Sequence, residues 1–159
     1  MRSLAHQRGF TLIELMIVIA LIAIVATIAV PGFTRLIDSN RLTAATNSVI
    51  GTLNFARSEA VRRGEPVEVA RTANGSLQVF MQRDMNSLIR ESGELPSGVS
   101  LTRNPDENTI FRGNGLLDPN DDNDPVHYIL CSGNSSIDGA RVVVNAGGQT
   151  SVDQVVPSC

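Results

Sequence analysis

From Arg8 to Phe33 the chain reads RGFTLIELMIVIALIAIVATIAVPGF, an apolar stretch that follows a basic residue and ends with a Pro-Gly pair and Phe33. As a helix rising about 1.5 Å per residue, the segment from Phe10 to Phe33 spans roughly 36 Å. That length exceeds the roughly 30 Å hydrocarbon core of a bilayer. Arg2 and Arg8 precede the tract and favour a cytoplasmic amino end. We therefore expect a transmembrane segment at about residues 10–33, with the rest of the chain exported.

Glu14 places a carboxylate a few residues inside this apolar tract. An ionisable group in hydrocarbon costs several kcal/mol unless it is paired or close to the interface, so its presence points to a function. One interpretation is that the side chain reaches the headgroups from near the helix end. The other is that the carboxylate pairs with a positive charge on a neighbouring molecule.

Two ordinary export signals are alternatives for the amino end. A secretory signal peptide has a shorter apolar core and a cleavage site of the Ala-x-Ala kind. The nearest candidate, residues 26–29, leads into Val30-Pro31 without that pattern, and Glu14 interrupts the core. An uncleaved signal anchor is the second alternative.

The string Arg8-Gly9-Phe10-Thr11-Leu12-Ile13-Glu14 resembles the class III signal sequences of the type IV pilin superfamily. The resemblance implies a leader peptide at residues 1–9, which prepilin peptidase removes by cutting between Gly9 and Phe10. The same enzyme would methylate the new amine on Phe10. It also implies that Glu14, the fifth residue of the mature chain, pairs with the Phe10 amine of a neighbouring subunit in a filament.

The helix is expected to continue beyond the membrane, over residues 10–64. Pro31 removes a hydrogen-bond donor and clashes with the preceding turn, so Pro31-Gly32 predicts a kink, not an end. Gly64 followed by Pro66 supplies the stop. Between these points apolar residues recur at spacings of three and four, which predicts one buried stripe. The stripe consists of Leu42, Ala45, Val49, Leu53, Ala56 and Ala60.

Residues 54–63, Asn-Phe-Ala-Arg-Ser-Glu-Ala-Val-Arg-Arg, resemble the end of this helix in the GspH/FimT subgroup of pilin-like proteins, which includes FimU-like minor pilins. The alternative interpretation needs no family. It is an amphipathic helix whose arginines, Arg57, Arg62 and Arg63, form a solvated basic face.

The remainder, residues 65–159, alternates short apolar runs with turn residues and predicts β-strands. Together with the helix this predicts an α+β fold, a long N-terminal helix packed on a small antiparallel β-sheet or sandwich. Ala73-Asn74-Gly75-Ser76 is a hairpin signal between the first two strands. The expected strands are 66–71, 77–81, 99–102, 109–111, 128–131, 141–144 and 150–152.

The chain contains two cysteines, Cys131 and Cys159, in the part expected to be exported. An oxidising compartment favours a disulfide between them, and such a bond contributes about 3–4 kcal/mol by the loop-entropy estimate. Two unpaired thiols are the alternative. The Gly147-Gly148 turn and the terminal Cys159 are also similar to the closing region of GspH/FimT proteins.

Charge and motifs argue against an enzyme or a bulk nucleic-acid binder. The net charge of −3 becomes −5 once Arg2 and Arg8 leave with the leader, and every basic residue is Arg. After the leader, His127 is the one histidine. The sequence also contains no Gly-rich phosphate loop and no Gly-x-Ser-x-Gly elbow. We expect no catalytic activity and no cofactor.

The best metal candidate is the acidic segment 118–124, in which alternate oxygens could bind Ca²⁺. The candidate ligands are Asp118, Asn120, Asp122 and Asp124. However, Asn123 stands where an EF-hand loop needs Gly, and Ile129 stands where it needs a bidentate Glu. A solvated acidic loop is therefore the favoured interpretation.

The resemblance implies a minor pilin that helps to initiate or cap a type IV pilus. Its partners would be other pilins, prepilin peptidase and the inner membrane, which it crosses once with a periplasmic C-terminal domain. Pseudopilin H of a type II secretion system is the alternative, and the absence of Trp favours the pilus.

A DNA receptor on a pilus is a further alternative within the FimT branch. That branch uses a Gly-Arg-x-Arg element near the carboxyl end, but the corresponding turn here is Gly148-Gln149-Thr150-Ser151. Because arginine and lysine contacts to phosphate supply most non-specific affinity, DNA binding is not expected, and Arg141 is a poor substitute.

Overall fold

The computed structural model describes residues 10–104, 106–118, 125–156 and 159. Within these residues one helix, α1, precedes eight strands, and the chain divides into a first unit ending at Leu36 and a second running from Ile37 to Cys159. The elements are α1 Leu12–Arg63, β1 Val67–Arg71, β2 Leu77–Met81, β3 Asp84–Glu91, β4 Val99–Asn104, β5 Thr109–Phe111, β6 Val126–Ser132, β7 Gly139–Val144 and β8 Thr150–Val156.

In the first unit, the large apolar side chains are exposed from Phe10, which precedes α1, through the helix to Leu36. The helix passes through Pro31 and Gly32 without ending, as expected. The kink at this position stays a prediction.

In the second unit, the part of α1 after Ile37 buries one stripe of side chains. All six predicted members of the stripe, Leu42, Ala45, Val49, Leu53, Ala56 and Ala60, are buried. The helix ends as predicted near Gly64, whose φ of 67° is left-handed and favours glycine. The Gly64 amide donates to the carbonyl of Ala60 at 2.9 Å, closing the last turn.

The strands form two four-stranded antiparallel sheets. Sheet A has the order β3-β2-β1-β5, and sheet B has the order β4-β6-β7-β8. Four pairings join strands that follow one another, as hairpins do, at β1–β2, β2–β3, β6–β7 and β7–β8. The pairings β1–β5 and β4–β6 are formed between strands that are not neighbours in sequence.

The helix stripe and both sheets share one hydrophobic core. Fully buried members include Val79 of sheet A, Leu130 and Tyr128 of sheet B, and Leu53 of α1. The domain therefore cannot complete its core without the helix. The α+β class predicted from the sequence is confirmed. The sequence left open a single sheet or a sandwich, and the structure has two sheets.

A buried polar chain joins the edge strands β4 and β5 of the two sheets. Arg103 Nε donates to Thr109 Oγ1 at 3.0 Å, and that hydroxyl lies 2.6 Å from Tyr128 Oη. Burial raises the pKa of the Tyr128 hydroxyl, so it remains protonated and can share a hydrogen bond here. These contacts connect the sheets at their edges.

Strand β3 was not predicted. Its sequence, DMNSLIRE, is rich in residues that strands disfavour, and its pairing with β2 is irregular near Phe80. Tertiary contacts stabilise the strand despite its low strand propensity. Ile89 packs against the core, and the guanidinium of Arg90 stacks over the Phe55 ring at 4.8 Å.

Candidate functional site

The start of α1 is built around Thr11 and Glu14. Thr11 donates from its amide and its hydroxyl to Glu14 Oε2, both at 3.0 Å, and the Glu14 amide donates to Thr11 Oγ1 at 3.3 Å. This reciprocal arrangement is a capping box, which satisfies amide groups that a helix start otherwise leaves free. The Thr-x-x-Glu spacing signals it in the sequence, although our sequence analysis considered only the charge of Glu14.

Glu14 and Phe10 are both accessible. Phe10 immediately precedes the capping box and is 90% exposed, and Glu14 is exposed as well. A partner that approaches the helix start can therefore reach the carboxylate, whose present hydrogen bonds come from its own chain.

The apolar segment that follows has the properties of a membrane or assembly surface. In the part of the chain that the structure describes, α1 is the one helix long and apolar enough to cross a membrane, judged by length and composition. Side chains such as Ile13, Leu21 and Ile28 are more than half exposed. A contiguous apolar surface of this extent marks a contact with lipid or protein.

The second half of α1 carries a junction centred on Arg57. Its Nε donates to the Gly115 carbonyl at 3.0 Å and its Nη2 donates to the Gly147 carbonyl at 3.2 Å. Gly115 follows β5 of sheet A, and Gly147 lies in the turn between β7 and β8 of sheet B. The expectation of a solvated Arg57 is therefore wrong, because the side chain is half-buried and bonded to two loops.

Arg62 and Arg63 behave differently from Arg57. Both bind Glu59, with Arg62 Nε at 3.0 Å from Oε1 and Arg63 Nε at 2.8 Å from Oε2. Hydrogen bonds from Arg62 and then Arg63 lower the pKa of Glu59 from its ordinary value of 4.5 to about 2. The two arginines lie on the exposed face, as the alternative interpretation of this segment expected.

The C terminus is tied to sheet B. Cys131 of β6 and Cys159 form a disulfide, with their Cα atoms 5.4 Å apart. The bond links the end of the chain, beyond the edge strand β8, to a strand inside the sheet.

The acidic segment considered for calcium falls largely outside the described residues, which omit 119–124 and with them Asn120, Asp122 and Asp124. Asp118 is described, and its Oδ1 accepts a hydrogen bond from Arg112 Nε at 2.7 Å. Over the described ranges, the structure brings together no group of three or more His, Cys, Asp or Glu suited to a metal ion.

The turn that corresponds to the DNA-binding element is used internally. Gly148 approaches Gly115, and Thr150 Oγ1 donates to Asn54 Oδ1 on α1 at 2.9 Å. Arg141, the possible substitute, faces Asp153 at 3.9 Å. The structure thus brings together the two segments that resemble the GspH/FimT subgroup, the end of the helix and the closing turn.

A long helix with an exposed apolar first part, packed through its second part on two small antiparallel sheets, defines a pilin-like protein. The family described as type II transport protein GspH matches residues 45–148, and the prokaryotic N-terminal methylation motif matches residues 4–30. The chain belongs to the GspH family, whose members are minor pilins and pseudopilins; both kinds of filament subunit fit it.

Curated relatives come from both kinds of system. A fimbrial protein of Pseudomonas aeruginosa is 34% identical over 100 residues, which cover 63% of this chain and 62% of the relative. The match thus spans under two thirds of that protein's length. The type II secretion system protein H of Xanthomonas campestris pv. campestris is 37% identical over 59 residues, covering 37% of this chain and 35% of the relative.

Solved structures show the same fold. The type IV minor pilin FimU of Pseudomonas aeruginosa superposes with a TM-score of 0.63 at 17% identity, covering 72% of this chain and 90% of FimU. The minor pseudopilin EpsH of the Vibrio cholerae type 2 secretion system gives 0.57 at 13% identity, covering 72% of this chain and 97% of EpsH.

Proposed function

We propose that this protein is a non-enzymatic minor pilin that helps to initiate or cap a type IV pilus. One observation carries the proposal: an exposed, membrane-length apolar helix begins with the Thr11–Glu14 capping box directly after the Gly9-Phe10 pair. This helix continues into a domain of the GspH family.

The proposed maturation starts at the cytoplasmic face of the inner membrane. Prepilin peptidase cuts between Gly9 and Phe10 and methylates the amine on Phe10, in keeping with the match to the N-terminal methylation motif. Arg2 and Arg8 keep this end cytoplasmic before the cut. The domain that contains the Cys131–Cys159 disulfide then lies in the oxidising periplasm.

In assembly, Glu14 provides the charge that selects the position of a neighbouring helix. The Phe10 amine of one subunit pairs with the Glu14 carboxylate of the next, while apolar side chains cover the remaining helix surface. A charge surrounded by apolar groups is strongly unfavourable until it is paired. A helix register that leaves the carboxylate without its amine is therefore unfavourable, and the paired register is selected.

Relatives named as fimbrial proteins support the pilus proposal. The Pseudomonas fimbrial protein aligns over 100 residues, and fimbrial protein Q of Moraxella bovis aligns over 71, against 59 for the secretion protein. A pseudopilin H is the second candidate, because the family description and the Xanthomonas relative both name type II secretion or transport.

Filaments sheared from the native host and purified would test the proposal by mass spectrometry. Peptides from 66–159 recovered at low stoichiometry, with a mature chain that begins at methylated Phe10, are the expected result. A mature protein that retains residues 1–9 in a piliated host would contradict the proposed maturation. Absence from well-formed pili, together with loss of exoprotein secretion in a deletion strain, would establish the pseudopilin alternative.

A further inference from the structure

Strand β8 is an open edge of sheet B. The strand order β4-β6-β7-β8 places it last, and within the described part of the chain no strand pairs with its other side. Its pairing with β7 is regular from Thr150 to Asp153, and the register shifts only beyond that point. The free side of such an edge offers backbone N–H and C=O groups to a further strand.

The β7–β8 hairpin shows which backbone groups of β8 are free. The Asn145 amide donates to the Gln149 carbonyl at 3.1 Å, so these two residues form a hydrogen-bonded pair. Hydrogen-bonded and non-hydrogen-bonded pairs alternate along an antiparallel ladder. Ser151 and Asp153 therefore bond to β7, whereas the N–H and C=O of Val152 point to the free edge.

The side chain of Val152 is also left uncovered. Val152 is the register partner of Val142 on β7, and directly opposed residues of an antiparallel pair lie on the same face. Val142 is fully buried, with 0% exposure, whereas Val152 is 42% exposed. A strand added at this edge would cover Val152 and pair with its backbone at the same time.

The other edge strands are protected in ways that β8 is not. Strand β5 has three residues, and β4 is joined to it by the bond from Arg103 to Thr109. Strand β3 carries several charges and pairs irregularly with β2. Short length, charge and irregularity all oppose edge pairing. From Thr150 to Asp153 the last residue is the one charged residue of β8. The disulfide holds Cys159 near β6, away from the free edge.

We propose that β8 pairs with β8 of a second copy of this chain, antiparallel and around a two-fold axis at Val152. The two four-stranded sheets B then form one continuous sheet. An interface of this kind uses the same surface on both copies, so the surface must be complementary to itself. The contact does not require a filament and goes beyond the proposed function.

Self-complementarity selects the register and supports a second copy as the occupant. With the axis at Val152, the two exposed valines face each other, and each Ser151 hydroxyl faces the Asp153 carboxylate of the other copy. An axis at Asp153 would place two carboxylates in direct opposition, which is destabilising. An axis at Ser151 would place Val152 opposite a threonine hydroxyl. The axis at Val152 therefore gives the favourable contact on both faces of the sheet.

A cysteine crosslink tests the register in the full chain, purified in detergent. Val152→Cys places two thiols at the axis, where opposed Cβ atoms are about 4.5–5.5 Å apart. Leu88→Cys is the matched control, because Leu88 is a half-exposed apolar residue on the edge strand β3. With a short thiol-specific crosslinker, we expect a covalent dimer linked through position 152 and none from position 88. No dimer from position 152, or equal yields from both positions, would overturn the proposal. Association through the apolar helix alone gives one of these two results.

Substitution by lysine provides an independent measurement by sedimentation. We expect Val152→Lys to weaken dimerisation at least about tenfold, because two ammonium groups then oppose each other at the axis. Val152→Ile should retain the dimer, and so should Leu88→Lys on the other edge strand. Equal melting temperatures for the Val152→Lys and wild-type monomers would show that the domain remains folded. Dimerisation of Val152→Lys at the wild-type level would refute the β8 interface.

Discussion

Arg57 and Gly115 are 58 residues apart in the chain, yet the guanidinium Nε donates to the Gly115 carbonyl at 3.0 Å. The same side chain reaches Gly147 on the other sheet at 3.2 Å. Leu117 and Ala146 add a backbone hydrogen bond of 3.1 Å between the two loops. One residue of α1 thus connects the helix to a loop of each sheet.

Replacing Arg57 with Lys should destabilise the domain by about 2 kcal/mol, because hydrogen bonds from a charged group contribute roughly 1.5–3 kcal/mol and a single ammonium cannot reproduce the guanidinium fork. Arg41→Lys is the matched control on the same helix, since Arg41 contacts Asp38 at 3.5 Å on the exposed surface. Urea unfolding of the full chain in detergent measures both. Equal stabilities for the two variants would show that the junction contributes little.

Gly148 should resist substitution more strongly than its neighbour Gly147. Its φ is +71°, and an added Cβ would collide with the Gly115 carbonyl oxygen. The corresponding atom at Gly147 meets only Asn145 Oδ1 at 3.3 Å, without a left-handed φ. We expect Gly148→Ala to cost about 1–3 kcal/mol and Gly147→Ala to cost clearly less, measured by thermal unfolding. A Gly147→Ala effect as large as that of Gly148→Ala would argue against the close approach.

The Glu59 cluster should make stability depend on acid pH. Arg62 and Arg63 lower the folded-state pKa of Glu59 to about 2, below the ordinary value of 4.5. The stabilisation is therefore present above about pH 4.5 and is lost as the pH falls toward 2. Melting temperatures of the wild type and Glu59→Gln should differ near neutral pH and converge near pH 2.

Arg62→Gln tests which residue causes this shift. Its hydrogen bonds are the largest cause of the lowered Glu59 pKa, so the variant should lose more of the pH-dependent difference than Arg63→Gln does. An unchanged pH profile in Arg62→Gln would assign the effect to Arg63 instead.

Glu14→Gln separates the two roles of Glu14. Gln can occupy the third helical position of a capping box, so the variant keeps the local hydrogen bonds with Thr11 and loses only the charge. We expect normal membrane insertion and at least about tenfold lower filament incorporation, because the Phe10 amine of the neighbouring subunit then lacks its anion. Thr11→Val keeps the charge and the backbone hydrogen bond to Glu14, loses the two hydroxyl hydrogen bonds of the capping box, and should assemble far better. Quantitative immunoblots of membranes and sheared filaments measure both steps, and normal incorporation of Glu14→Gln would refute the charge pair.

Loss of the disulfide should loosen the C-terminal end of sheet B. Cys131 and Cys159 are 28 residues apart, and closing a loop of that size contributes about 3–4 kcal/mol in the chain-entropy estimate. Cys159→Ser should lower the urea midpoint, and reduction of the wild type should reproduce that shift. Reduction should leave the unfolding of the Cys159→Ser variant unchanged, which controls for effects of the reductant.

The helix and most strands could be predicted because their signals are local. The spacing from Leu42 to Ala60 repeats with the helical period, so a single exposed or buried face follows from geometry alone. Seven of the strands in the described part match predicted ones, since alternation and turn residues are also local. Strand β3 was missed because its residues have weak strand propensity, its pairing with the adjacent β2 is irregular, and its packing partners, such as Phe55 under Arg90, are remote in the sequence.

The sequence by itself determined the apolar segment, the position of Glu14, the buried helix stripe and the resemblance to pilins. Each of these depends on residues within a few turns of one another, so spacing and residue type suffice. Only the tertiary structure decided that Arg57 is bonded to two loops, that strands distant in sequence pair as β1–β5 and β4–β6, and that Val152 is left uncovered. These properties arise from the packing of two sheets against one helix, and the identity of a residue does not reveal which distant backbone will lie beside it.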